Sequence, residues 1–271
     1  MNKAKLEALV EDLANEFPFK GYTKNATAPY YTIGRIISSY LKSGDQLLDF
    51  GSGPCDKTSI ASQLGMVVTA CDDLQDDWYK QNDNTQKILD FAESKNIDFQ
   101  FDLSSALQKQ YDMVMMNDVL EHIHHSPRDL LNDLVSAIKP DGYLFITVPN
   151  ITNLRKRLDV IRGRTNLPSF ELFYWYPGPW RGPTREYTRY DLEKLVDYLG
   201  LHTVKLTTVH HMLANLSPKL VAPYKLITQL FPDLADTWLL LATKPNGWEP
   251  KKEISEAEFS VIYHKKSKDL Y

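Results

Sequence analysis

The alternation of apolar and polar positions divides the chain into short buried strands and amphipathic helices. Helices are predicted at 3–17, 30–41, 54–64, 84–95 and 127–138, and apolar runs typical of buried strands lie at 46–50, 66–71, 97–101, 111–116 and 143–148. Strands and helices therefore alternate as far as residue 150. This order predicts parallel strands, joined by right-handed crossovers whose helices cover both faces of one sheet.

The pattern changes after residue 150. A basic run is followed by an aromatic, proline-rich stretch without a strand pattern, and the polar tail from residue 244 is expected to be loosely held. Further helices are predicted at 191–199 and 217–230, and further strands at 202–209 and 237–243. The resulting division is an N-terminal helical cover (1–44), a core (45–150), an insert with its helix (151–200), two closing strands (201–245) and a polar tail (246–271).

Composition narrows the class of protein only modestly. The 271 residues are 43% hydrophobic with a net charge of −4, which fits a folded domain and disfavours binding along nucleic acid. Two cysteines are too few for a disulfide framework, and no apolar run reaches the roughly 18 residues that a membrane span needs. Charged residues within the first helix are unlike a signal peptide, so we expect a cytoplasmic protein.

The strongest chemical signal lies where the first strand meets the next helix. Asp49, Gly51, Ser52 and Gly53 form a strand end followed by a Gly-x-Gly turn. Because glycine has no Cβ, a ligand can lie against the backbone there, and the following helix presents unpaired N–H donors. A nicotinamide-binding turn would have a third glycine where this chain has Asp56, so the motif disfavours a dinucleotide.

Acidic residues follow the next two predicted strands. Asp72 and Asp73 come after the second strand, and one of them is expected to accept hydrogen bonds from ribose hydroxyls. Asp102 and Leu103 follow the third strand, where a carboxylate either meets an adenine amino group or caps a helix. The ends of these strands approach one crevice in a doubly wound sheet, so the acids are predicted to face the same ligand.

Four motifs in register resemble those of one enzyme family. They are the segment 48–53, the acid Asp72, the segment 111–123 and the segment 134–150. Together they are similar to the Rossmann-like (class I) S-adenosylmethionine-dependent methyltransferases. Within that family they look most like the ubiquinone-biosynthesis type and the bacterial enzymes that methylate small molecules and glycans. The resemblance covers about residues 45–150.

The resemblance implies a doubly wound α/β fold with a seven-stranded, mostly parallel sheet, whose last strand is antiparallel and inserted beside the fifth. It also implies S-adenosyl-L-methionine as the cofactor. The family's donor contacts correspond here to Gly51 and Gly53 beneath the methionine part, Asp72 on the ribose, Asp102 and Leu103 near the adenine, and Asn117 beside the donor. The activity that we expect is O-methylation of a small molecule or glycan, as in polysaccharide biosynthesis.

Histidines and acids after the fourth strand are candidates for catalysis. His122, His124 and His125 lie where the family's acceptor enters, and one of them is expected to take the proton of a hydroxyl acceptor. Asp118, Glu121 and His122 share one helical face and resemble the metal set of certain O-methyltransferases. We favour a helix cap with a structural histidine over this metal site, so no metal is expected.

Specificity for the acceptor is predicted to reside in the insert. The residues expected to contact substrate are Tyr174, Trp175, Trp180, Arg181, Arg185 and Tyr187. Aromatic rings stack on sugars, and arginine binds phosphate or carboxylate through two hydrogen bonds, so a glycan or small molecule, including an anionic one, fits these residue types. An aromatic mini-core or a dimer interface explains the same residues, and the oligomeric state stays open.

Three other functions fit part of the pattern. An RNA 2′-O-methyltransferase would use the metal set, but the acidic net charge disfavours nucleic acid. A nucleotide-dependent oxidoreductase or epimerase fits the sheet, yet its Tyr-x-x-x-Lys pair would be Tyr190 and Lys194, in a helix remote from the strand ends. A non-catalytic protein that keeps the donor pocket would bind the donor without turnover.

Overall fold

A computed structural model describes residues 3–23, 27–213 and 216–269. Its centre is one seven-stranded sheet with the strand order β3-β2-β1-β4-β5-β7-β6. The strands are Gln46–Phe50 (β1), Val67–Cys71 (β2), Ile97–Gln100 (β3), Tyr111–Asn117 (β4), Ile138–Pro149 (β5), His202–Val209 (β6) and Thr237–Thr243 (β7). The predicted seven-stranded α/β fold is therefore confirmed.

The direction of the strands decides where a site can form. The pairs from β3 through β5 are parallel, and β7 runs antiparallel to both β5 and β6, between which it lies. The last strand is thus inserted beside the fifth, as predicted. Because β7 alone is reversed, the other six strands all end at one edge of the sheet, and in open sheets that edge is where ligands bind.

Helices cover both faces of the sheet. They are Lys3–Glu16 (α1), Thr27–Tyr40 (α2), Asp56–Gln63 (α3), Asn84–Ser94 (α4), Leu103–Ala106 (α5), Arg128–Ser136 (α6), Leu154–Ile161 (α7), Phe170–Tyr174 (α8), Arg189–Tyr198 (α9), Pro218–Leu230 (α10) and Glu256–Asp269 (α11). In the described part of the chain, no helix has the length and apolar character needed to cross a membrane.

Two apolar cores lie on the two sides of the sheet. Helices α1 to α4 cover one core, to which Ile33 and Ile60 contribute fully buried side chains. Helices α6 and α9 cover the other, to which Leu131 and Leu192 contribute. Each such side chain stabilises the fold by about 1.5–3 kcal/mol relative to its exposed state, so both cores hold the strand ends in place.

The strand β5 begins earlier than the sequence predicts. Residues 139–142 were expected to form the turn that ends a helix, but they belong to the strand, and Tyr111 pairs with Ile138. The register of β4 and β5 shifts between Tyr111 and Met113, which accommodates Pro140 and Gly142. A Cβ on Gly142 would approach the backbone oxygen of Asp112 to 2.9 Å, so glycine allows this close pairing.

The start of the C-terminal tail is held firmly, so the prediction of a loosely held tail is wrong for residues 244–252. Lys244 Nζ donates to the carbonyl oxygen of Ile138 at 2.6 Å, and Trp248 Nε1 donates to that of Leu199 at 2.6 Å. The backbone N–H of Lys251 donates to Asn132 Oδ1 at 2.9 Å. The Leu199 carbonyl, at the end of α9, is one of those that lack a partner within their helix, and the tail supplies its donor.

Candidate active site

A cavity of about 580 Å³ opens at the carboxyl edge of the sheet. We call it the main cavity. Its lining comprises Gly51, Gly53, Asp72, Asp73, Asp76, Tyr79, Asp118, Val119, His122, His124, Pro179, Trp180 and Arg181. Its volume lies within the range of small-molecule sites. Four of the lining residues are aspartates and only one is an arginine, so the charges of the lining favour a cationic ligand.

The Gly-x-Gly turn forms the floor of the main cavity. Gly51 has a φ of +71° and Gly53 a φ of +52°, both in the left-handed region that favours glycine. A Cβ on Gly51 would lie 2.9 Å from Cγ1 of Val119 and closer still to Cγ2. A Cβ on Gly53 would meet the hydroxyl of Tyr79 at 3.1 Å. Gly51 therefore allows Val119 to pack on the turn, and Gly53 allows the Tyr79 hydroxyl to approach the backbone.

Asp72 joins the end of β2 to this turn. Its Oδ2 accepts a hydrogen bond from the backbone N–H of Gly53 at 2.8 Å, and its Oδ1 accepts one from Leu74 at 2.9 Å. Burial raises the pKa of Asp72, while these two hydrogen bonds act in the opposite direction. Each carboxylate oxygen keeps a second lone pair, so Asp72 can still accept hydrogen bonds from hydroxyls of a ligand in the cavity.

Lys57 holds Asp118 on the opposite side of the cavity. Asp118 adopts a φ of +58°, and its Oδ2 accepts a hydrogen bond from Lys57 Nζ at 2.7 Å. Burial acts to raise the pKa of Asp118, but the Lys57 ammonium, His211 and the Thr147 hydroxyl together outweigh it, so the pKa lies below its ordinary value. The sequence reasoning missed Lys57. A lysine in the first turn of α3 opposes the helix dipole, which is a signal that it has an acidic partner elsewhere.

Asn117, at the end of β4, lies outside the lining of the main cavity, and the nitrogen of its amide group lacks a partner. Its Oδ1 accepts a hydrogen bond from Thr147 Oγ1 at 3.2 Å. Its Nδ2 is buried and has no hydrogen-bond partner among the residues that the structure describes. A buried unpaired donor costs about 1–3 kcal/mol, so an acceptor atom of a bound ligand would stabilise this group.

Two further predicted cofactor residues lie beneath the turn rather than in the lining of the main cavity. Asp49 is buried, and its Oδ2 accepts a hydrogen bond from Thr58 Oγ1 at 2.5 Å. Burial raises the pKa of Asp49 to about 7. Ser52 is buried too, and its carbonyl oxygen accepts the N–H of Cys55 at 3.1 Å. Both residues shape the turn from within the protein.

Asp102 and Leu103 lie at the start of α5, outside the lining of the main cavity. Asp102 caps this helix, since its Oδ1 accepts a hydrogen bond from the backbone N–H of Ser105 at 3.0 Å. Hydrogen bonds from Ser104 and Ser105 lower the pKa of Asp102. Leu103 packs against the core beneath α6 and α9. The helix-cap alternative considered for Asp102 is thus present in the structure.

Two of the three candidate histidines line the main cavity, and each is oriented by a backbone carbonyl. His122 Nδ1 lies 2.8 Å from the carbonyl oxygen of Arg181, and His124 Nε2 lies 2.8 Å from that of Trp180. A carbonyl only accepts hydrogen bonds, so these nitrogens are the ones that bear a proton. In the tautomers that these contacts select, the lone pairs lie on His122 Nε2, which is 3.9 Å from Glu121 Oε1, and on His124 Nδ1. His125 is exposed and lies outside the lining.

The insert closes one side of the main cavity. Arg181 Nη1 pairs with Asp76 Oδ1 at 2.8 Å, on the loop that follows β2. The backbone N–H of Thr184 donates to the carbonyl oxygen of Glu121 at 2.8 Å, on the loop that follows β4. The segment 179–184 is therefore attached on both sides of the opening, although α8 and its neighbours extend outward from it.

Asp118, Glu121 and His122, the metal set considered as an alternative in the sequence analysis, do not form a metal-binding group. Asp118 is paired with Lys57, and the His122 ring is held through Nδ1 by the insert. The Glu121 side chain is 2% exposed, with Oε2 unpartnered in the described residues. Burial raises the pKa of Glu121 to about 8, so it is largely uncharged at neutral pH. In residues 3–23, 27–213 and 216–269, no group of three His, Cys, Asp or Glu side chains is arranged to hold a metal.

Of the six predicted substrate residues, only Trp180 and Arg181 line the main cavity. Tyr174 and Trp175 lie outside its lining, and their side chains are 63% and 78% exposed. Arg185 pairs with Asp191 at 3.0 Å on the surface of α9. Tyr187 is 6% exposed and packs in the core beneath α6 and α9.

The sequence reasoning also missed two residues of the loop after β2. Asp76 and Tyr79 both line the main cavity, together with the predicted Asp72 and Asp73. Tyr79 lies over the glycine turn, where its hydroxyl approaches Gly53. The run of aspartates after β2 could have indicated that the whole loop faces a ligand, because repulsion among neighbouring carboxylates is relieved by a bound cation.

A sheet of this order, with a glycine turn after its first strand and an acid after its second, defines the Rossmann-like methyltransferase class. Residues 26–206 match the family model for a methyltransferase domain. The chain belongs to this family, whose members are class I S-adenosylmethionine-dependent methyltransferases. The predicted family is therefore confirmed, and S-adenosylmethionine is its cofactor.

Individual proteins of known sequence or structure share only part of the sequence of this chain. The chain is 33% identical over 137 residues to the ubiquinone biosynthesis O-methyltransferase of Rickettsia bellii, which covers 48% of this chain and 53% of that protein. It thus spans about half the length of the curated relatives it matches. The fold is similar to that of a cyclopropane-fatty-acyl-phospholipid synthase-like protein from Lactobacillus casei (TM-score 0.57, 13% identity, 90% of this chain and 100% of that one). It is also similar to the magnesium protoporphyrin IX methyltransferase of Synechocystis with bound S-adenosylhomocysteine (TM-score 0.51, 14% identity, 90% and 95%).

Proposed function

We propose that this chain transfers a methyl group from S-adenosylmethionine to a hydroxyl group of a small molecule, with His122 as the general base. The observation that supports this most directly is the orientation of the His122 ring. Its Nδ1 is held 2.8 Å from the carbonyl oxygen of Arg181, so the nitrogen with a free lone pair is Nε2. A base with a fixed tautomer at the wall of the main cavity is what a hydroxyl acceptor requires.

The residues around the glycine turn fit the donor. The glycine turn in the lining of the cavity fits its methionine part, and Asp72 has lone pairs for the ribose hydroxyls. The unpaired Nδ2 of Asn117 fits an acceptor atom of the same ligand. S-adenosylmethionine supplies an electrophilic methyl group on a positively charged sulfur. The aspartates of the lining, Asp118 among them, complement that charge.

The charges of the lining also bear on the acceptor. Arg181 and Arg185 were expected to bind an anion, but they pair with Asp76 and Asp191. With the anion-binding groups paired and four aspartates lining the cavity, a neutral or cationic acceptor is favoured over an anionic one. Oxygen as the methylated atom also agrees with the name of the Rickettsia relative, an O-methyltransferase. A glycan acceptor stays a prediction.

Donor binding and the role of the histidines can be tested separately. Calorimetric titration should show binding of S-adenosylhomocysteine and none of NAD. Methyl transfer from radiolabelled donor to a panel of phenols, catechols and sugars should fall by roughly 10²-fold in His122→Ala. Donor affinity should stay within a factor of three in that variant.

The matched control is His202→Ala, since His202 is exposed on β6 and far from the main cavity. It should leave the rate unchanged. A His122→Ala rate equal to that of the wild type would refute the assignment of the base. If His124→Ala lowers the rate and His122→Ala does not, the general base is His124, whose Nδ1 is not engaged by the carbonyl. Donor binding without transfer to any acceptor would favour a non-catalytic protein.

A further inference from the structure

A second cavity of about 470 Å³ lies in the insert, beside the main cavity. We call it the insert cavity. Its lining comprises Thr165, Leu167, Pro168, Phe170, Phe173, Trp180, Pro183 and Thr184. None of these residues is charged. Trp180 is the one residue common to the two lining sets, so the insert cavity and the main cavity adjoin at this residue.

Trp180 is held in this position from several sides. Its Nε1 donates to the carbonyl oxygen of Pro183 at 3.3 Å. The rings of Phe173 and Tyr176 pack edge-on against it, with centroid distances of 5.3 and 5.1 Å. A Cβ on Gly182 would overlap the indole, so glycine at this position lets the backbone lie against the ring. The place where the two cavities adjoin is therefore a defined structural feature.

The polar groups of the insert cavity are already engaged. Thr184 Oγ1 donates to the carbonyl oxygens of Glu121 and Ile123, at 3.1 and 3.0 Å. Thr165 Oγ1 accepts the N–H of Leu167 at 3.0 Å. A sugar in this cavity would lose hydrogen bonds to water without replacing them, which is unfavourable. A hydrocarbon group would lose none.

The apolar side chains of the insert cavity are largely exposed. Phe170 is 68% exposed, and Leu167 and Phe173 are also more than half exposed. Covering such surface is favourable by about 25 cal/mol per Å². A ligand that filled the cavity would therefore gain affinity mainly from apolar contact.

We propose that the insert cavity binds an apolar hydrocarbon portion of the methyl acceptor. The acceptor is then amphipathic: its reacting hydroxyl faces His122 in the main cavity, and its alkyl portion passes Trp180 into the insert cavity. This inference rests on the function proposed above for the main cavity. It assigns the specificity of the reaction to Leu167, Phe170 and Phe173, which are not among the six substrate residues predicted from the sequence.

The probe for this proposal is a series of 4-alkylphenols from methyl to hexyl. Each would be titrated calorimetrically into the full chain saturated with S-adenosylhomocysteine, so that no transfer takes place. The dissociation constant should fall by about threefold to fourfold for each added methylene until the cavity is filled. In Phe173→Ser and in Leu167→Ser the fall should become much shallower, while affinity for S-adenosylhomocysteine and the circular dichroism spectrum stay unchanged.

The control is Phe259→Ser, which removes a similarly exposed phenylalanine from the distant helix α11. It should keep the wild-type dependence on chain length. A dissociation constant that does not change along the series, or one whose fall persists in both insert variants, would overturn the proposal. So would sedimentation data in which Phe173→Ser converts a dimer into a monomer, since a second copy would then cover these side chains.

The two proposals fail in different ways. If His122 is not the base, His122→Ala keeps its methyl-transfer rate while the dependence of binding on chain length remains. If the insert cavity does not bind the acceptor, the dependence on chain length is lost while the His122 variant is still impaired. Each result can be read without the other because the phenol titration measures binding and requires no turnover.

Discussion

Replacement of Gly51 by alanine tests whether the turn after β1 is built around Val119. At a φ of +71°, a residue with a Cβ costs about 1–2 kcal/mol. The new Cβ would lie within 2.9 Å of both methyl carbons of Val119, and displacing that side chain costs a further 1–3 kcal/mol, roughly. The free energy of unfolding should therefore fall by about 2–5 kcal/mol, with roughly 2–4 °C lost in Tm for each kcal/mol.

A second substitution separates the two costs. In Val119→Ala the two methyl carbons are absent and only the Cβ of residue 119 remains, 3.2 Å from the new Cβ on residue 51. The double variant should thus keep the cost of the backbone conformation and lose most of the cost of the overlap. Urea unfolding of the wild type, the two single variants and the double variant gives the coupling free energy. The double variant should be more stable, by at least about 1 kcal/mol, than the sum of the two single effects predicts.

Gly53→Ala is the matched control. At this residue φ is +52°, and the added Cβ would meet only the hydroxyl of Tyr79 at 3.1 Å. Its cost should be about 1–2 kcal/mol and should not depend on Val119. Strict additivity of Gly51→Ala and Val119→Ala would show that the overlap with Val119 does not determine the cost at Gly51.

Three further outcomes follow from charges in the site. The pKa of Glu121 is raised from 4.5 to about 8, so the folded state binds this proton more tightly, and the wild type loses stability as pH rises between those values. Urea unfolding should show that Glu121→Gln gains stability relative to the wild type as pH rises through this window. The difference in the free energy of unfolding should grow by up to about 1.4 kcal/mol per pH unit. Plots of stability against pH that run parallel for the two proteins would contradict this. Arg181→Ala breaks an exposed pair with Asp76 that is worth less than about 1 kcal/mol. Calorimetry should therefore show that Arg181→Ala binds S-adenosylhomocysteine less than fivefold more weakly than the wild type. This difference in affinity should disappear at 0.5 M salt, because salt screens exposed charges. Because Lys57 occupies Asp118, dialysis against EDTA should leave methyl transfer unchanged, whereas recovery on adding Mg²⁺ would point to a metal.

The elements that the sequence predicted best are those with a complete local signal. The bounds of β1, β6 and β7 agree with the structure residue for residue, because each is an apolar or alternating run between turn-forming residues. The same holds for Gly51, Gly53 and Asp72, whose place in the main cavity follows from their position directly after parallel strands. The family also follows from these motifs, since they lie in the correct order within about 100 residues.

Other features were decided by contacts between distant segments. The pairing of Arg181 with Asp76 joins residues that are 105 apart in the chain, and the hydrogen bond of His122 to the Arg181 carbonyl joins residues 59 apart. Which aromatic residue of the insert becomes core, as Tyr187 does, and which becomes a cavity wall, as Trp180 does, depends on how the insert packs against β4 and α9. Local residue patterns set the strands, the glycine turn and the position of Asp72 beside it. The hydrogen bond that orients the His122 ring, the pairing of the arginines and the walls of the insert cavity depend on the tertiary structure, because hydrogen bonds and burial are properties of surroundings that only folding creates.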